Sequence, residues 1–263
     1  MEDYQFNYLD LNDTHVAYLG SEASTKILLF IGRSNTQKNS APLQELLNRL
    51  VLDGYLLIWP KSRNQFISEL LTNKSLGAVG WLNSVFGQTE SRAKVWMRRI
   101  LKGFILIGYP SKWDYFVDWL SGNNPNERTE IYREVMRALG PNKSIFILSH
   151  SAGGITASCL ANEDNLRGMI CFGYPFKHPD KDEESYRTTK LKNIEKPFLI
   201  VQGRQDEYGG TDVRDRYELS QNIEFEFVQA NHEYENLSTD DWMRVVKRLA
   251  SFLEQEKIKQ TLK

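Results

Sequence analysis

Ser144 to Gly154 reads SIFILSHSAGG, and this stretch decides the fold. SIFILS is an apolar, β-branched run of strand length, and SAGGITASCLA after it is rich in small residues suited to a closely packed helix. Between them SHSAG places Ser151 at the corner of a sharp strand-to-helix turn. Such a turn holds its central residue in a strained conformation, so the residues two before and two after must be small. Ser149 and Gly153 meet that requirement. The geometry lifts the Ser151 hydroxyl above the sheet edge and sets the Ala152 amide at a helix N-terminus, where it faces a developing negative charge.

Outward from this turn, short apolar runs alternate with amphipathic stretches, the pattern of a mostly parallel sheet covered by helices. KILLFIG (Lys26 to Gly32), YLLIWP (Tyr55 to Pro60), GMICFGYP (Gly168 to Pro175), KPFLIVQG (Lys196 to Gly203) and IEFEFVQA (Ile223 to Ala230) read as strands. LQELLNRLVLDG (Leu43 to Gly54), DVRDRYELS and DDWMRVVKRLASFLEQ read as helices, the last introduced by a Ser or Thr before acidic residues in LSTDDW. YQFNYLDL and HVAYLG alternate as an antiparallel edge hairpin. The spacing gives an α/β fold in one domain over 1–263, interrupted at 61–125 by a stretch too long for a single crossover helix. That stretch is read as an inserted helical cap. It holds Trp81, Trp96, Trp113 and Trp119, four of the six tryptophans, which favours its folding onto the body of the protein and setting substrate choice.

A serine hydroxyl is a weak nucleophile until an imidazole takes its proton, and the imidazole needs a carboxylate to fix its tautomer. RQDEYGG after KPFLIVQG puts Asp206 on one strand-end loop, and NHEYEN after IEFEFVQA puts His232 on the next. The chain order Ser151, Asp206, His232 matches a nucleophile, acid and base presented in turn along a parallel sheet. Glu207 and Asp212 are rival acids, while His15, His150 and His178 have weaker positions than His232. The second oxyanion donor is expected from the loop after KILLFIG, at the backbone amide of Arg33, with Ser34 as the alternative.

Composition narrows the function classes. Apolar residues make up 41% and charged residues 25% of the 263, as in a globular protein with a sizeable core. The net charge of −1 offers no overall field for nucleic acid or an anionic membrane. SRAKVWMRRILKG (Ser91 to Gly103) is a basic amphipathic segment, read as a solvated face in preference to a membrane contact. Cys159 and Cys171 fall on helix-like and strand-like segments and read as separate thiols. No CxxC or HExxH spacing points to a metal, and no phosphate-cradling loop points to a nucleotide, so no cofactor is expected. An acidic N-terminus and the lack of a long apolar run favour a cytoplasmic protein.

FGYPFKHPDKDEESYRTTKLKNIEKPFLIVQGRQDEYGG (Phe172 to Gly210) and SHSAGG together resemble the α/β-hydrolase superfamily. Within it they look like the dienelactone-hydrolase-like branch, which includes testis-expressed and histone-acetyltransferase-complex hydrolase-like proteins. The resemblance implies the α/β-hydrolase fold and a triad on Ser151, His232 and Asp206. The front half departs from the pattern: Ile31-Gly32 stands where many relatives have His-Gly, and Ser149 replaces an elbow glycine. The expected activity is cleavage of a carboxylic ester or thioester of a small-molecule acyl substrate. An acyltransferase using the same residues, or a noncatalytic binding scaffold, is the alternative.

Overall fold

The computed structural model describes residues 7–11, 14–32, 41–60, 100, 125–234 and 237–261. The inserted stretch 61–125 therefore lies outside the described residues except for Ile100 and Pro125, as do Arg33 and Ser34. The strands are β1 (Asn7–Leu11), β2 (Thr14–Leu19), β3 (Lys26–Ile31), β4 (Tyr55–Pro60), β5 (Ser144–His150), β6 (Leu166–Phe172), β7 (Phe198–Gly203) and β8 (Ile223–Val228). They form an eight-stranded sheet in the order β1-β2-β4-β3-β5-β6-β7-β8. β1 and β2 pair antiparallel, β2 pairs antiparallel with β4, and every pairing from β4 to β8 is parallel.

The helices are α1 (Ala41–Leu52), α2 (Pro125–Leu139), α3 (Ala152–Cys159), α4 (Val213–Arg216) and α5 (Thr239–Thr261). Alternate strand residues feed two apolar layers. Ile27, Leu29, Ile145 and Ile147 pack with Val135 and Met136 of α2 and Ala157 of α3. Leu28, Leu57, Phe146 and Leu148 pack on the opposite side with Leu46 and Leu50 of α1 and Val245, Leu249 and Phe252 of α5. Burial of each such large side chain is worth about 1.5–3 kcal/mol. With both faces covered, β4 and β7 are buried at every position, which is why they read as unbroken apolar runs instead of alternating ones.

Local chemistry sets the element ends. Gly54 stops α1 at φ 84, in the left-handed region where a glycine carries no Cβ penalty. Ser238 opens α5 by accepting the Asp241 amide at 3.1 Å, while its hydroxyl donates to the Asp241 carboxylate. α4 is a single turn and does not extend over the whole of DVRDRYELS, because Tyr217 swings into extended backbone and stacks its ring on Phe176 at 5.5 Å. Among the described residues no helix is long and apolar enough to cross a membrane.

β3 pairs with β4 on one side and with β5 on the other, so the strand order reverses there. A reversal of this kind opens a crevice beyond the carboxyl ends of the strands. β5, β7 and β8 all end on that side, and each hands over to one of the residues singled out from the sequence.

Candidate active site

Ser151 sits between β5 and α3 at φ 53 and ψ −126, a conformation that costs an ordinary residue about 1–3 kcal/mol. The surroundings over-determine it. The Ser151 amide donates to Phe172 O at 2.9 Å, and the Gly154 amide donates to Ser151 O at 2.8 Å. A Cβ on Gly153 would lie 2.4 Å from Ile31 O, so α3 starts against the backbone of β3 and only glycine fits. Ser149, standing in a usual glycine position, is tolerated because it is small and its hydroxyl donates to Ile170 O at 3.0 Å. The buried group is thereby satisfied.

Asp206 and His232 lie on the loops after β7 and β8, and both are only 4% exposed. His232 bridges the other two residues. Its Nε2 is 2.8 Å from Ser151 Oγ, and its Nδ1 is 2.9 and 3.0 Å from the two carboxylate oxygens of Asp206. Nδ1–H donates to Asp206, which leaves the Nε2 lone pair to accept the Ser151 hydroxyl. A proton can therefore pass from Ser151 to an imidazole whose resulting charge is balanced by the carboxylate. The rivals stand elsewhere: Glu207 is exposed, and Asp212 faces Arg216 at the start of α4. His178 lies behind Tyr208, with the two ring centres 5.8 Å apart.

The Asp206 carboxylate has two further donors, the Tyr208 amide to Oδ1 at 2.8 Å and the Gln202 side-chain amide to Oδ2 at 2.9 Å. The Tyr208 ring tilts over the imidazole at 4.4 Å, and the His150 ring lies 5.6 Å from it. Gly173 turns at φ 59, and a Cβ there would come within 3.1 Å of His232 Nδ1, so this glycine makes room for the His–Asp pair. It also ends β6 before the GYP turn, earlier than the run GMICFGYP suggested. Tyr234, at φ 58, donates its hydroxyl to Val201 O at 2.6 Å and so ties the His232 loop to β7. Burial pushes the Tyr234 phenol well above its ordinary value and the Cys171 thiol, beneath the elbow, up to about 12.

Ala152 begins α3, so its amide lacks an intrahelical carbonyl partner and is available at the helix N-terminus beside Ser151. The geometry thus brings together Ser151, His232 and Asp206, with Ala152 alongside. Gln202, Tyr208, Gly173 and Tyr234 were not singled out from the sequence. Gln202 did leave a signal, being an amide in a strand otherwise apolar up to its final glycine.

Solved structures share the architecture. An alpha-beta serine hydrolase homologue from Coxiella burnetii superposes with a TM-score of 0.54 at 13% identity, over 96% of this chain and 99% of that one. The esterase domain of a Rhodothermus marinus protein gives 0.54 at 12% identity, over 95% and 98%. A thioesterase domain from the curacin biosynthetic pathway gives 0.55 at 10% identity, over 94% and 98%. At such identities these likenesses speak to the fold alone. Residues 122–255, just over half the chain and the part that carries the elbow and both partner loops, match the alpha/beta hydrolase domain model, and the chain belongs to the α/β-hydrolase family.

Proposed function

We propose that the protein hydrolyses a carboxylic ester of a small-molecule acyl substrate. The observation that carries this reading is the single imidazole of His232 held 2.8 Å from Ser151 Oγ and 2.9 Å from Asp206 Oδ2. Ser151 Oγ attacks the carbonyl carbon while its proton moves to His232 Nε2, and Asp206 stabilises the imidazolium. The oxyanion accepts a hydrogen bond from the Ala152 amide, and the second donor is assigned to the Arg33 amide, with Ser34 the alternative. One such donor is typically worth about 10²–10³ in turnover. The carbonyl re-forms as the C–O bond to the alcohol breaks, and His232 hands its proton to that alcohol. Water then attacks the acyl-enzyme with His232 as base, releasing the acid and restoring Ser151. The Phe172 to Gly210 pattern supports placement in the dienelactone-hydrolase-like branch.

Labelling by a fluorophosphonate probe tests the reading. Wild-type protein labels at Ser151 and Ser151→Ala does not. A folded wild-type protein that fails to label would favour the noncatalytic scaffold. A chromogenic panel of oxygen esters and thioesters of graded acyl length then tests the substrate class. Turnover of thioesters alone would overturn the ester assignment while leaving the acyl-enzyme chemistry in place.

A further inference from the structure

Every position of β7 is buried, and Gln202 is fully buried although its side chain is polar. An amide in that environment persists only with its partners made. Gln202 Oε1 accepts the Tyr174 amide at 2.9 Å. Its Nε2 donates to Asp206 Oδ2 at 2.9 Å and to Gly209 O at 2.7 Å, with Tyr174 O a more distant third acceptor at 3.3 Å. The side chain thus crosses the loop from Gly203 to Gly209 at its base and joins it to the turn after β6. Two backbone turns complete the loop, the Asp206 amide donating to Gly203 O and the Gly209 amide to Asp206 O.

The Asp206 side chain has no exposed surface, so its oxygens depend on protein donors. Tyr208 supplies a backbone amide to one oxygen, which most residues at that position would also do. Besides His232, the donor to the other oxygen is the Gln202 side chain, and only a residue with an N–H at that reach and angle can replace it. Resting on the reading of Ser151, His232 and Asp206 as a catalytic triad, we infer that Gln202 is a positioning residue, which locks the Asp206 carboxylate in the plane that orients His232 toward Ser151. Gln202 touches neither Ser151 nor substrate and acts through Asp206.

The test uses the full chain carrying Gln202→Met or Gln202→Glu, each alone and combined with Asp206→Asn. Gln202→Met keeps the volume and removes the amide. Gln202→Glu keeps an acceptor for the Tyr174 amide and turns an oxygen toward Asp206. Melting by circular dichroism establishes folding, and three readouts follow: kcat and KM on an activated ester, the rate of fluorophosphonate labelling, and the downfield proton resonance of His232 Nδ1. In the Asp206 background, Gln202→Met lowers kcat and the labelling rate by about 10- to 100-fold, the range of a hydrogen bond to a charged group, with KM within about twofold. In the Asp206→Asn background the same change costs less than about threefold, because the residue it acts through is already lost. The Nδ1 resonance moves or broadens in both variants.

A folded Gln202→Met protein with wild-type kcat and an unmoved resonance overturns the proposal, as do losses that simply multiply across the two backgrounds. If both Gln202 variants fail to fold, the residue is a scaffold element and the proposal is likewise overturned. A wild-type protein that does not label at Ser151 sinks the hydrolase reading instead. The Nδ1 resonance still decides the role of Gln202 in that case.

Discussion

Gly153→Ala sets two effects of opposite sign against each other. Gly153 lies in the first turn of α3, where helix propensity alone makes alanine better than glycine by roughly 1 kcal/mol. The added Cβ, however, would stand 2.4 Å from Ile31 O and 3.0 Å from Ile31 C, both main-chain atoms of β3. An unstrained carbon-to-carbonyl-oxygen approach needs about 3.3 Å, so helix and strand must part by about 1 Å. Overpacking of this size costs about 1–3 kcal/mol, and a 1 Å displacement of a reacting group costs about 100-fold in rate. The steric term wins on stability, and the elbow takes the displacement, because Gly153 is two residues from Ser151. A clash with main-chain atoms falls in the upper part of the overpacking range, so after the propensity gain a net loss of about 1–2 kcal/mol remains. The expected outcome is a Tm lowered by about 2–8 °C together with a labelling rate reduced by about 100-fold. Gly140→Ala is the control: unlike the helical Gly153 it sits at positive φ, 85°, but a Cβ there meets nothing within 4 Å. It should cost about 1–2 kcal/mol and leave labelling unchanged. A Gly153→Ala protein that melts at or above the wild-type temperature and labels within about threefold of the wild-type rate would refute the reasoning.

Two further outcomes follow from the same geometry. His232→Ala should lower ester turnover by at least about a thousandfold while the circular dichroism spectrum stays native, and a loss below about tenfold would point to another base. Cys171 supplies a pH dependence: burial raises its folded-state value from 9.0 to about 12, so the neutral thiol is favoured in the folded protein. Its contribution is complete below about pH 9 and is lost as pH rises toward 12, because the unfolded chain releases the proton first. Burial of the Tyr174 and Tyr234 phenols acts with the same sign. Denaturant melts between pH 8 and 11 should therefore show falling stability, with a shallower fall in Cys171→Ala, and iodoacetamide should reach Cys171 only on unfolding; rapid alkylation in the native state would contradict the burial argument.

The fold was legible because the central strands are buried on both faces and so appear as unbroken apolar runs. KPFLIVQG and YLLIWP needed no alternation to be recognised. The candidate site was legible because Ser151 and Asp206 follow such runs and His232 follows the alternating edge strand IEFEFV, so strand order substitutes for distance. DVRDRYELS misled as a helix because its charged residues suit one, while the stacking of Tyr217 on Phe176 is tertiary and leaves no local trace. Gln202 was passed over as the tail of an apolar strand, though a buried amide there demands partners and could have been flagged for that reason alone. Gly173 and Tyr234 gave less: their left-handed backbones depend on how close the His232 loop comes to β6 and β7, which nothing in NHEYEN or GYP encodes.

Much of the site's geometry converges on a strand end that carries none of its three polar side chains. Phe172 O at the end of β6 takes the Ser151 amide, and Ile170 O takes the Ser149 hydroxyl. Gly173 then leaves the space that His232 Nδ1 and Asp206 Oδ2 occupy, and Tyr174 anchors Gln202 through both its amide and its carbonyl. The Ser151 turn is thus held by the same short strand end that anchors Asp206 through Gln202 and makes room for His232. A small shift of Phe172 to Tyr174 would misplace all three partners together, whereas a shift in either partner loop would misplace one. The end of β6 is deep in the sheet, between β5 and β7, with Phe172 in one apolar layer and Tyr174 in the other. Placing the shared frame there, and Ser151, Asp206 and His232 on turns that leave the strands around it, lets a rigid sheet hold an otherwise costly conformation at Ser151.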